Sequence, residues 1–166
     1  TLLPQAVNIE VIGGEGNEFV INGKNYPIPI QGKIRPSAEV GWGRIEISPV
    51  QAVESDEFLN VMLVCDNGDV VEESSTLIET NEMVGAIVLN EAVFFPREKE
   101  LVNFEFELNI ASIKTSVNYH ISGLAEGVWS AYQDDKEICR CTINASGNIM
   151  NFSETNKKIR ITPFAE

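Results

Sequence analysis

Alternation with a period of two constrains this chain more than any other feature. Between Leu101 and Leu108, the residues Val102, Phe104, Phe106 and Leu108 fall on one side, and Asn103, Glu105 and Glu107 on the other. Successive side chains of a strand point to opposite faces, so the run predicts a half-buried strand with four apolar residues in a core. Ile159 and Ile161 alternate in the same way with Lys158, Arg160 and Thr162. Gly43, Ile45 and Ile47 alternate with Trp42, Arg44 and Glu46, which places the isoleucines inward and the tryptophan with its charged neighbours outward. Phe58 to Cys65 is apolar on both sides apart from Asn60, and a strand covered on both faces accounts for that.

Further strands are expected at Val7–Ile12, Glu18–Ile21, Val84–Leu89, Ala92–Phe95, Ser116–Ser122, Val128–Gln133, Ile138–Ile143 and Asn148–Phe152. Turn signals separate them. Asn22-Gly23 and Asn67-Gly68 supply the positive φ angles of tight hairpins, and Asp134-Asp135 and Ser146-Gly147-Asn148 are expected to do the same. Gln51 to Glu57 is the one place where a helical turn is expected. Many short strands at close spacing, with no linker or repeat, predict an all-β fold with little or no helix. The expected form is an antiparallel two-sheet β-sandwich, jelly-roll-like, with residues 1–166 as one domain.

The charge balance narrows function. Twelve Lys and Arg stand against 25 Asp and Glu, a net charge of -13. A phosphate backbone is repelled by such a surface, so a nucleic-acid partner is not expected. No apolar run reaches the length of a membrane helix, and no membrane partner is expected either. The start Thr1-Leu2-Leu3-Pro4 is neither an initiator methionine nor a signal peptide, so the chain is expected to be one piece of a larger protein.

None of the motifs supplies a complete reactive site. Gly13-Gly14-Glu15-Gly16 lacks the Lys-Ser/Thr and the following helix of a phosphate loop and reads as a bend. His120 shares its outward face with Asn118, opposite Val117, Tyr119 and Ile121, with no nucleophile or carboxylate beside it in sequence; it reads as a solvated surface residue. Cys139 and Cys141 share one strand face, too far apart for an easy mutual bridge. They lack a second ligand pair for zinc and read, with Cys65, as small buried hydrophobes. The acidic loops Asp66-Asn67-Gly68-Asp69 and Asp134-Asp135 do not have EF-hand spacing, and calcium binding by them stays open. No catalytic, cofactor-binding or metal-ligating residue is assigned. Trp129 alternates with Ala131 and is expected in the core. Trp42, Arg44 and Tyr26 form the candidate surface for a glycan or a neighbouring domain, because an aromatic ring beside charged groups can stack on a sugar. Asn144-Ala145-Ser146 and Asn151-Phe152-Ser153 are glycosylation sequons if the source glycosylates secreted proteins.

Several stretches together resemble a known family. They are Thr1-Leu2-Leu3-Pro4, GGEGNEFVINGKNY (Gly13 to Tyr26), GWGRIEISP (Gly41 to Pro49), DEFLNVMLVCD (Asp56 to Asp66) and HISGLAEGVWSAYQDD (His120 to Asp135). They resemble the C-terminal β-sandwich region of the heparinase II/III-like polysaccharide lyases. The resemblance implies a C-terminal fragment of a larger protein, the accessory domain of a bacterial, secreted or periplasmic lyase acting on uronic-acid-containing glycans. Its partners would be the catalytic domain of the parent protein and the polysaccharide. The catalytic tyrosine and histidine of that family come mainly from an α/α toroid and its adjoining sheet. No toroid-like segment occurs here, so no catalytic residue is carried over. An independent carbohydrate-binding module and a purely structural or adhesion-type sandwich are the alternatives.

Overall fold

The computed structural model describes residues 1–14, 17, 19–26, 43–63, 66, 75–110, 116–147, 149–155 and 158–164. Among them there is no helix; Gln51 to Glu57 is irregular, because its single expected turn has no apolar stripe to pack. The chain divides into two compact units, Pro4–Asp56 and Thr1–Leu3 with Glu57–Glu166.

In the unit Pro4–Asp56, β1 (Val7–Ile12) pairs antiparallel with β4 (Arg44–Pro49), and β2 (Val20–Ile21) pairs with β3 (Lys24–Asn25). The β2–β3 hairpin turns at Asn22-Gly23, both at positive φ (49° and 74°), as the sequence requires. Register sets Val11 against Ile45 and Ile9 against Ile47, so the two isoleucines do share one face. Ile45 is nevertheless 61% exposed and does not point into a core.

The other unit holds β5 (Thr76–Glu79), β6 (Met83–Val88), β7 (Glu91–Pro96), β8 (Phe106–Asn109), β9 (Val117–Ile121), β10 (Gly127–Gln133), β11 (Lys136–Ile143), β12 (Met150–Glu154) and β13 (Lys158–Pro163). They form a five-stranded sheet, β12-β9-β7-β6-β5, and a four-stranded sheet, β11-β10-β13-β8. Pairing is antiparallel except between β7 and β9. The chain leaves the first sheet after β7, forms β8 in the second and returns as β9, which is the crossover a parallel pair demands. One apolar cluster joins the two sheets: Phe94, Tyr119, Ile121 and Met150 from the first, and Phe106, Leu108, Trp129 and Ile161 from the second. This is the sandwich expected from the alternation.

Packing is tight where side chains cross the sheets. Tyr119 stacks on Phe152 with centroids 4.8 Å apart and on Phe94 at 6.4 Å. Gly85 is dictated by that layer, since a Cβ there would lie 2.4 Å from the Val93 carbonyl oxygen and 2.6 Å from the Phe94 ring. Trp129 is buried, and its indole N–H donates to the Ala125 carbonyl at 2.8 Å.

Two strand expectations are corrected. The ladder of β8 starts at Phe106, not Leu101. Val102 instead makes an isolated parallel bridge with Leu124, its N–H donating to the Gly123 carbonyl and its carbonyl accepting from Ala125. The chain bends at Phe104, whose ring is 53% exposed while Val102, Phe106 and Leu108 are buried. The apolar run from Phe58 forms only a bridge between Leu59 and Leu3 over its described part, with Phe58, Met62 and Leu63 exposed; Val64 and Cys65 lie outside the described residues. Here hydrophobicity marks sparse edge contacts and not a covered strand.

Candidate functional site

A connected polar patch lies on the outer face of the five-stranded sheet. It follows from strand parity and register. In β9 the apolar Val117, Tyr119 and Ile121 point inward, which turns Asn118 and His120 outward. Parallel pairing sets Glu91 against Asn118 and Val93 against His120. Antiparallel pairing sets Asn151 against His120 and Ser153 against Asn118. Three strands thus bring five polar side chains into one patch.

Their hydrogen bonds form a fork. The Glu91 carboxylate faces His120 Nε2 through Oε2 at 2.7 Å and accepts from Asn118 Nδ2 through Oε1 at 2.7 Å. His120 Nδ1 lies 2.8 Å from Asn151 Oδ1. The Ser153 hydroxyl donates to Asn118 Oδ1 at 2.6 Å. The hydrogen bond that His120 makes to the Glu91 carboxylate lifts its pKa above the ordinary value, against a smaller opposing effect of burial and with help from Asn151. The bonds from His120 and then Asn118 hold the Glu91 carboxyl below its ordinary value. His120 lies on the outer face with Asn118, as expected from sequence, but it is held in a hydrogen-bonded patch there. It is partly exposed, with a carboxylate partner that sequence neighbours do not reveal. Glu91 falls one residue outside the strand expected at Ala92–Phe95, so parity assigned it no face, and the β7–β9 register depends on a crossover that no local pattern encodes.

The outer face of the four-stranded sheet carries a second polar layer. The Arg160 guanidinium sits 4.6 Å over the Tyr132 ring and bonds Glu105 at 3.0 Å; Arg140 sits 5.0 Å over Phe164 and pairs with Glu137. Asp135 of the expected acidic loop lies 3.5 Å from Arg160, and Asp134-Asp135 turns the β10–β11 hairpin with φ of 45° and 63°. Asn67, Gly68 and Asp69 of the other acidic loop lie outside the described residues. No group of three or more His, Cys, Asp or Glu side chains suited to a metal gathers among the described residues. Cys139 and Cys141 face the apolar layer as free thiols, and burial pushes both pKa values up.

Of the three surface candidates, Trp42 lies outside the described residues. Arg44 pairs with Glu46 and, with Glu10, Asn17 and Asn22, lines an open groove of about 610 Å³ in the unit Pro4–Asp56. Tyr26 is 52% exposed, with the Lys24 ammonium 4.9 Å from its ring centre, and does not line that groove.

Comparison with known proteins gives one family. The model of the heparinase II C-terminal domain matches residues 77–163, slightly over half of the chain, from within β5 to the end of β13. No curated protein matches the chain.

Proposed function

The chain belongs to the heparinase II C-terminal domain family, and from that premise we propose that it is a non-catalytic accessory domain of a heparinase II/III-like polysaccharide lyase acting on uronic-acid-containing glycans. The family match over residues 77–163 carries this reading. The parent reaction is β-elimination: a base takes the proton α to the uronate carboxylate and an acid protonates the leaving oxygen. In this reading those groups sit in the catalytic body, which is the domain's partner, and the parent enzyme works outside the cytoplasm, secreted or periplasmic in a bacterium. The surroundings of the lone histidine support the assignment. The hydrogen-bonded patch around His120 holds Glu91, Asn118, Asn151 and Ser153, and the neighbouring Tyr119 is buried on the opposite face of β9, so among the described residues the patch has no tyrosine to protonate a leaving oxygen.

The test is turnover by the purified chain on heparin, heparan sulfate and alginate, followed by absorbance of the unsaturated uronate product. No product is expected. Product that disappears in His120→Ala would overturn the non-catalytic role.

A second reading, direct glycan contact by the unit Pro4–Asp56, is favoured by the exposed Tyr26 ring and the polar groove holding Arg44. Saturable glycan binding lost in Tyr26→Ala, Arg44→Ala and Trp42→Ala would support a binding module over a purely packing role.

A further inference from the structure

His120 is the only histidine of the chain, and both of its ring nitrogens face oxygen acceptors. Nε2 lies 2.7 Å from Glu91 Oε2 and Nδ1 lies 2.8 Å from Asn151 Oδ1. The Asn151 amide is oriented independently, because its Nδ2 donates to the Ile149 carbonyl at 3.3 Å. A neutral imidazole carries one N–H and satisfies one of these contacts; at the other its lone pair meets an oxygen. Only the imidazolium donates to both.

We infer that His120 is a proton-dependent latch: protonated, it ties the edge strand β12 across β9 to β7, and on losing its proton it lets go of Asn151 while keeping Glu91. The side that opens follows from acceptor strength. A carboxylate holds an N–H more strongly than an amide oxygen does, so the last ring proton stays on Nε2. The other row is indifferent to the proton. Ser153 donates to Asn118, and Asn118 donates to Glu91, without using the histidine. Deprotonation therefore loosens the Met150–Phe152 part of β12 and leaves the Ser153 end anchored.

The electrostatic surroundings are simple. Among the described residues, Glu91 from β7 is the one charged group bonded to the ring. β9 contributes the uncharged Asn118, and β12 contributes the uncharged Asn151 and Ser153. Glu154 of β12 alternates to the Tyr119 side of the strand. The raised His120 pKa agrees with this geometry. The side chains of His120 and Glu91 are 37% and 44% exposed, so the proton exchanges with solvent directly.

The lone imidazole makes the test unambiguous. The full chain, labelled with nitrogen-15, is followed from about pH 5 to about pH 9 by ring resonances and by amide exchange. The ring is expected to carry both protons on the acid side, to titrate above the ordinary histidine value, and to end as the Nε2–H tautomer. Across that titration, exchange at 150–152, corrected for base catalysis, is expected to quicken about two- to fivefold relative to β10 and β13, the size suited to a partly exposed pair. Glu91→Gln is expected to lower the titration midpoint. Asn151→Ala is expected to remove the pH dependence of exchange while keeping the midpoint raised. The latch is overturned if Nδ1 keeps the last proton, if exchange in β12 tracks β10 throughout, or if Asn151→Ala leaves the coupling intact. Should Asn151→Ala fold poorly, Asn151→Asp decides: a second carboxylate raises the midpoint further if Nδ1 donates there, and an unmoved midpoint refutes the contact.

Discussion

Phe104 and Phe106 stand two residues apart in one alternating run, yet their surroundings differ completely. Phe106 is buried among Leu108, Trp129 and Ile161, whereas Phe104 sits on a bend with its ring 53% exposed. Truncating a buried phenylalanine removes its transfer energy and leaves a cavity, so Phe106→Ala is expected to cost about 3–5 kcal/mol. Phe104→Ala is expected to cost less than about 1 kcal/mol, in the range of surface substitutions. Urea denaturation of the two variants measures the contrast, and equal losses would put Phe104 back in the core. At this scale the sequence was legible wherever backbone pairing was continuous. Val117, Tyr119 and Ile121 point inward, and Trp129 is buried, as parity demands. It was not legible at Phe104, because parity holds only while both neighbours stay in a ladder, and the Val102–Leu124 bridge ends one pairing before β8 begins another.

Elements were readable where turn chemistry and alternation agreed. The β10–β11 hairpin was marked by Asp134-Asp135, and its turn has both residues in the left-handed region at 45° and 63°. Aspartate tolerates that region, but glycine is favoured at the second position of such a turn. Asp135→Gly removes a left-handed strain of about 1–2 kcal/mol at most and adds unfolded-state entropy of about 0.5–1 kcal/mol. It also gives up an exposed contact with Arg160 that contributes little. A net gain of about 0.5 kcal/mol is expected, read as a higher urea midpoint; a clear loss would show that the Arg160 contact outweighs the strain. β5 was missed for the opposite reason: Thr76-Leu77-Ile78-Glu79 places its two apolar residues side by side, which gives no alternation to detect. The candidate site was less legible than the fold. Its members Glu91, His120 and Asn151 come from three strands, and their meeting depends on the parallel β7–β9 register, a consequence of long-range topology.

For the whole molecule, several groups make stability fall as pH rises, and two carboxyls with lowered pKa values, Glu91 and Glu137, make it fall in acid. Glu91 has its pKa lowered from the ordinary 4.5 by His120 and Asn118, so its contribution is present above that value and is lost as pH drops through the folded value. His120 has its pKa raised from 6.5 by Glu91, so its contribution is complete below 6.5 and is lost as pH climbs through the folded value. Stability is therefore expected to peak between those limits, on the acid side of neutral, where the net charge of -13 at pH 7 is also partly relieved. The alkaline side should show two steps. The first, through His120, is small because the pair is partly exposed. The second begins with the thiols of Cys139 and Cys141, raised by burial from 9.0, and continues with Tyr119, pushed up from 10.0 to about 12 by burial and then by the Glu154 charge. A folded phenol that resists ionisation costs the native state about 1.4 kcal/mol for each pH unit between its unfolded and folded values. Urea midpoints measured across pH resolve the steps. His120→Gln is expected to flatten the first alone, and Tyr119→Phe to flatten the upper part of the second alone. If Tyr119→Phe left the fall above pH 10 unchanged, the buried phenol would not be its source; if stability rose from pH 6.5 toward 8, the sign assigned to His120 would be wrong.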